Sequence, residues 1–109
     1  MRAGDLSRRI TIQQPASVKT NGLISTSWLT FRTVQAFIKQ LKGYERANAQ
    51  AVWPGADFSI TIRYIRGITG NMRIVDDRGM IYSILGQPND LAGMHVEIEL
   101  TCQSGVKAN

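Results

Sequence analysis

The chain has 109 residues, 43% hydrophobic and 19% charged, which excludes a disordered segment and leaves room for one ordinary domain rather than two. Thirteen Lys and Arg against eight Asp and Glu give +5, a balance that suits polyanionic partners, nucleic acid above all, and equally an ordinary solvated basic surface. No apolar run approaches the ~20 residues of a membrane span and the start has no apolar signal core, so a soluble protein of a reducing cytoplasm is expected.

In chain order, residues 1–7 read as a loose arm, too short for a stable helix. Ile10 and Ile12 begin a strand expected to stop at Pro15. Asn21-Gly22 is the strongest short hairpin signal, since both residues tolerate positive φ. A return strand is predicted from about Leu23 to Phe31, with Trp28 as its large buried group. A further strand follows, in which Val34, Ala36 and Ile38 alternate with Gln35, Phe37 and Lys39. From Gly43 to Asp57 the β pattern breaks. Residues 44–52 are rich in helix formers and end at Trp53-Pro54-Gly55, so a short packed helix and a long loop are both open.

The clearest β signal runs from Phe58 to Leu85. Ile60, Ile62 and Tyr64 alternate with polar residues, Gly67 to Asn71 breaks the run, and Met72 and Ile74 lead into Asp76-Asp77-Arg78-Gly79. Met80, Tyr82 and Ile84 then alternate again. Gln87 to Gly93 reads as a polar turn, Met94 to Cys102 as the most regular strand, and residues 104–109 as a frayed tail. The prediction is a single domain, 1–109, mainly β: a small antiparallel barrel or sandwich of six or seven short strands with one helix or loop inserted at about residues 43–57. A domain this size buries roughly two thirds of its unfolded surface, a thin margin that contacts between copies would extend.

The residues offer little for covalent chemistry. His95 is the single histidine, and it lies an odd number of positions from Cys102 on one strand, so the two face opposite sides and do not form a ligand pair. Cys102, the one cysteine, falls on the apolar alternation and is expected buried and inert, with no intrachain disulfide. Asp76-Asp77 before Arg78-Gly79 reads as turn chemistry rather than an acid pair. Gly67, Gly70 and Gly79 precede no helix and are not a phosphate loop. Arg63 and Arg66 flank Tyr64, a pattern that also occurs on nucleic-acid surfaces, but Tyr64 continues the core face and Arg63 points away from it. No catalytic residue, cofactor or metal is expected.

Several segments together resemble the head-tail joining proteins of tailed bacteriophages and prophages, the head-completion or stopper family. They are residues 3–13 (AGDLSRRITIQ), Trp28, residues 34–38 (VQAFI) leading to 41–45 (LKGYE), Ile62-Arg63-Tyr64, Gly67-Ile68-Thr69, Met72-Arg73-Ile74, Tyr82-Ser83-Ile84 and Leu100-Thr101-Cys102. The likeness spans residues 2 to 103 in order. It departs at Phe37, where such chains often have a Trp-Ala pair a residue earlier, and at Asp90 to Gly93, which lacks a charge-rich loop.

The resemblance implies a β-barrel subunit of a ring. The ring would dock beneath portal and adaptor proteins, close the DNA channel after packaging and present a surface to the tail or a tail-completion protein. It implies a protein of the host cytoplasm during assembly and of the virion neck afterwards, with no enzymatic activity and no membrane partner. The insert would supply a channel gate from Gly43, Tyr44, Glu45, Arg46 and Gly55. Lys39, Lys42 and Arg46 would face passing double-stranded DNA without sequence preference. Basic Arg2, Arg8 and Arg9 would meet acidic Glu97 and Glu99 of the next copy. The alternatives are a nucleic-acid-binding barrel of the oligonucleotide-binding type using Arg63 and Arg66, and a neighbouring adaptor or tail-completion role in the same neck.

Overall fold

The structure is a computed structural model that describes residues 8–90, 93 and 96–105. Six strands and one helix follow in the order β1 (Arg8–Thr20), β2 (Leu23–Gln40), α1 (Gly43–Val52), β3 (Phe58–Arg63), β4 (Arg73–Asp76), β5 (Ile81–Asp90) and β6 (Glu97–Ser104). All pairings are antiparallel, and the sheet closes on itself as a barrel in the order β1-β2-β3-β6-β5-β4. The mainly β prediction with one insert holds, and of its two forms the barrel is the one observed.

The two-residue period explains the core. Ile60 pairs with Ile38 and Leu100, and Ile62 with Ala36 and Ile98, so one face of β3 carries apolar groups inward at alternate positions. Ile10, Ile12, Ile74, Tyr82, Ile84 and Cys102 fill the rest, and Ile68 and Met72 fold in from the 64–72 loop. Phe58 meets Tyr82 edge to face at 5.1 Å. Cys102 is a buried thiol outside any disulfide, as its position in the alternation predicts. Tyr64 packs against this core and Arg63 is exposed.

The first hairpin gives the molecule its shape, 48 Å long and 28 Å across. Asn21 (φ 52) and Gly22 (φ 81) make the turn that their dipeptide predicts. β1 pairs with β4 only from Ile10 to Gln13, and β2 pairs with β3 only from Ala36 onward. Beyond those points the strands continue as a two-stranded ribbon that leaves the barrel.

Several sequence boundaries are corrected by this ribbon. The first strand does not stop at Pro15 but runs to Thr20, with Pro15 opposite Trp28. β1 has already lost β4 there, so a residue without an N–H interrupts no inter-strand ladder on that side. The two strands predicted over 23–31 and 34–39 are one, Leu23–Gln40, bent where the register skips Phe31 between Arg32 and Thr30. Trp28 is half-buried rather than a core residue: Arg73 lies over its ring at 4.3 Å.

The expected turn at Gln87 to Gly93 is strand as far as Asp90, with a register shift between Leu85 and Asn89 accommodating Pro88. The expected start of the last strand at Met94 and His95 lies outside the described residues, as do the arm 1–7 and residues 106–109. The frayed tail does not begin at Ser104. Ser104 donates through its backbone N–H and its hydroxyl to Asp57 at 2.8 and 2.6 Å, and the Gly105 N–H donates to Ile81 O at 2.8 Å.

Candidate assembly surfaces

The insert at 43–57 is a helix on a tied neck. Leu41 N–H donates to Asp57 O at 2.9 Å, and Asp57 N–H to Cys102 O at 3.0 Å, so both ends of the excursion are fixed to the barrel. Leu41 and Ala56 are buried at this neck. Between them α1 buries no residue at all. Glu45 in the first turn suits the helix dipole, and its carboxylate accepts from Lys39 Nζ at 2.6 Å across an exposed pair.

The helix ends where Trp53 N–H donates to Ala49 O. Trp53 then lies on Gly86: a Cβ there would sit 2.4 Å from the indole, so the close approach requires glycine. Of the two forms open for the insert, a helix packed on the barrel through its own side chains is corrected: Tyr44, Ala47, Ala51 and Val52 are all exposed, Tyr44 at 88%. The contact with the barrel falls to Trp53 instead, which rests on Gly86 while remaining 41% exposed. Gly43 (φ 57) and Gly55 (φ 93), two of the expected gate residues, both have left-handed backbone.

The ribbon is the second surface. Its cross-strand pairs Gln14↔Leu29, Ala16↔Ser27, Val18↔Ser25 and Thr20↔Leu23 lie on one face, which continues the side of β1 that carries Ile10 and Ile12. The apolar pattern thus outruns the core. On this face Val18, Leu29 and Leu23 are left 42%, 52% and 75% exposed, and on the opposite face Ile24, paired with Lys19, is 74% exposed. Between Gln14 and Phe31 the single charged residue is Lys19.

The third feature is charge on the barrel wall. Arg9 is exposed on β1, and Glu97 and Glu99 are half-buried on β6. In the closed strand order β1 and β6 are three steps apart in either direction, so these groups stand on opposite sides. Glu99 accepts from Ser59 Oγ at 3.0 Å, and Glu97 is in register with Arg63.

Arg8 is engaged within its own chain. Its Nη2 donates to Asp77 Oδ1 at 2.8 Å and to Asp76 Oδ2 at 3.3 Å. This contact holds the Asp77 carboxyl below the usual carboxylate range and raises Arg8. Asp76 closes the β4–β5 turn by accepting from the N–H groups of Arg78 and Met80 at 2.8 and 2.9 Å. The Tyr82 hydroxyl donates to its other oxygen at 3.1 Å, and burial followed by that bond pushes the hydroxyl up to about 12. The turn reading of Asp76-Asp77 is confirmed: Asp76 accepts from four donors that close the β4–β5 turn and tie it to Arg8 and Tyr82.

The phage head completion protein family model matches residues 1–105. The chain belongs to that family. Its fold is similar to the solution structure of protein SF1141 from Shigella flexneri 2a, with a TM-score of 0.79 and 29% identity, covering 99% of this chain and 100% of that one. It is also similar to a chain from the virion of a native gene transfer agent particle, with a TM-score of 0.60 and 14% identity over 93% and 96% of the two chains; this second likeness concerns the fold alone. No curated protein matches the chain. Membership makes this head completion protein a virion structural protein of the head-tail neck, from a structural rather than an enzymatic family.

In this head completion protein the candidate gate residues Gly43, Tyr44, Glu45, Arg46 and Gly55 share one projecting element. Of the candidate DNA-facing cations, Lys42 and Arg46 are exposed there, and Lys39 is drawn to Glu45. The candidate contact groups Arg9, Glu97 and Glu99 lie on two opposed walls, Arg8 is turned to Asp77, and Arg2 lies outside the described residues. Sequence reading missed the Asp57–Ser104 tie, the Trp53–Gly86 contact and the exposed ribbon. The first two join residues more than thirty positions apart, with no local signal. The ribbon had one: the alternation of Ala16 and Val18 beyond Pro15. Among the described residues no helix is long and apolar enough to cross a membrane, and no three His, Cys, Asp or Glu gather as a metal site.

Proposed function

We propose that the chain is a stopper subunit: copies form a ring beneath the portal-adaptor complex, close the DNA channel after packaging and offer the tail or a tail-completion protein its seat. The carrying observation is the ten-residue helix that buries none of its residues on its own barrel. A helix this short is marginal alone, so one that projects with Tyr44 and Val52 uncovered is suited to being covered in an assembly. Its tied neck and its two left-handed glycines suit a gate that swings as a unit. Lys42 and Arg46 near its start would meet phosphate weakly and without reading sequence, as a channel that must later release DNA requires.

Arg9 on one wall and Glu97 with Glu99 on the opposite wall suit a head-to-tail ring, in which each copy meets its neighbour through two different patches. In this reading Arg2 joins Arg9 and Arg8 stays with Asp77. The protein is made in the host cytoplasm and ends in the virion neck. The test is packaging in particles that lack the protein. Filled heads should lose their DNA and fail to take tails, and added wild-type protein should restore both. Tyr44→Ala and Arg46→Ala should assemble yet retain DNA less well. Heads that stay full and join tails without the protein would overturn the proposal.

A further inference from the structure

We propose that the β1–β2 ribbons of neighbouring copies pair edge to edge, the β1 edge of one against the β2 edge of the next, so that the ring is sealed by a continuous sheet of ribbons. The inference rests on the ring reading above and names the contact that builds the ring.

Every strand of the barrel is paired on both sides over part of its length, whereas the outer ribbon leaves one side of each of its strands open throughout. Among the described residues, Gln14–Thr20 pair only with β2, and Leu23–Leu29 pair only with β1. Each ribbon therefore has two open edges, seven residues on β1 and, because β3 joins only at Ala36, thirteen on β2. Open edges recruit strands, and proteins that must stay monomeric blunt them with charge, proline or cover. Here the blunting is slight: Pro15 at the base and Lys19 near the tip.

The occupant that fits is a second copy of this chain. The chain carries +5 overall, so most of its surface repels a copy, while residues 14–31 carry one charge and repel little. The two edges differ, so stacking in one orientation sets β2 of one copy antiparallel to β1 of the next. Such a contact is heterologous and propagates until it closes. Its size argues the same way. Seven residues at ~3.4 Å each give an edge of ~24 Å, and with side chains ~10 Å deep this covers roughly 240 Å² per partner, far below the ~800 Å² of a stable pair. Isolated dimers are thus not expected, whereas a ring in which every ribbon has two neighbours is.

The test uses two full-length variants, Ser17→Cys on the β1 edge and Thr26→Cys on the β2 edge, with a short bifunctional thiol reagent in concentrated solution and on filled heads. Native Cys102 is buried and serves as the background in wild type. Mixed Ser17→Cys and Thr26→Cys protein should give cross-linked pairs at least tenfold above either variant alone. Cross-linking of Ser17→Cys to itself as strong as in the mixture would show a two-fold contact and overturn the proposal. Rings seen on heads with no mixed cross-link would overturn the ribbon contact while the ring reading stood. Chains that neither cross-link in solution nor bind heads would overturn both, and the DNA-retention experiment judges the ring reading alone.

Discussion

Ile62 and Ile24 carry the same side chain on the same sheet, yet Ile62 is fully buried and Ile24 is 74% exposed. Ile62 sits where β3 has a neighbour on both sides and the closed wall folds over it. Ile24 sits where β2 has one neighbour and no second layer. The barrel is thus a unit that satisfies itself, while the ribbon and the helix carry apolar groups that this chain alone does not cover. Stability should follow the barrel, and assembly should follow the ribbon and the helix.

Truncation breaks that comparison most directly. Ile62→Ala or Ile74→Ala should cost about 2–5 kcal/mol in denaturant unfolding of the isolated chain, while Ile24→Ala or Leu23→Ala should stay within ~0.5 kcal/mol. Equal losses would mean that the ribbon is part of the core. Next in size is the seat of the helix. Gly86 combines φ 70 with the indole of Trp53 against its Cα, so Gly86→Ala should cost about 1–3 kcal/mol and shift the fluorescence of Trp53 toward that of an exposed indole.

The pH dependence sharpens the barrel side. The Tyr82 hydroxyl is raised from 10.0 to about 12 in the fold, so its contribution is complete below pH 10 and is lost as pH rises toward 12. Unfolding midpoints of Tyr82→Phe should be flatter than wild type across that window. Asp77 is shifted the other way, below 3.8. Its contribution is present above that pH and lost as pH falls further, so wild type and Asp77→Asn should converge in acid. The smallest effect is expected at the exposed Lys39–Glu45 pair: Glu45→Ala should change stability by no more than ~0.5 kcal/mol, and less in high salt.

Much of the barrel was legible because its signals are local. Alternation at Ile60 and Ile62, Asn-Gly at 21–22 and Asp-Asp-Arg-Gly at 76–79 each specify backbone within a few residues. What was not legible depends on distant neighbours. Pro15 reads as a stop unless one knows that β4 has already ended. Pro88 and Asn89 read as a turn, but here they ride a bulge in β5. Trp28 reads as core by its size, but it lies half-buried on the ribbon with Arg73 over its ring. The insert was readable as helix from composition, but Ala and Tyr spacing could not reveal that its packing passes instead through Trp53 to Gly86. Of the candidate sites, the proposed gate residues all fall within the one insert that the sequence marks off, whereas the engagement of Arg8 with Asp77 joins residues 69 positions apart and left no sequence trace.

Hydrogen exchange of the ribbon amides, compared between the isolated chain and the assembled ring, tests the central claim most directly. Outward-facing amides within residues 14–20 and 23–29 should exchange quickly in the isolated chain and become protected at least tenfold in the ring, with the amides of Ile60, Ile62 and Leu100 slow in both. Ribbon amides that exchange equally fast in both states would contradict the account.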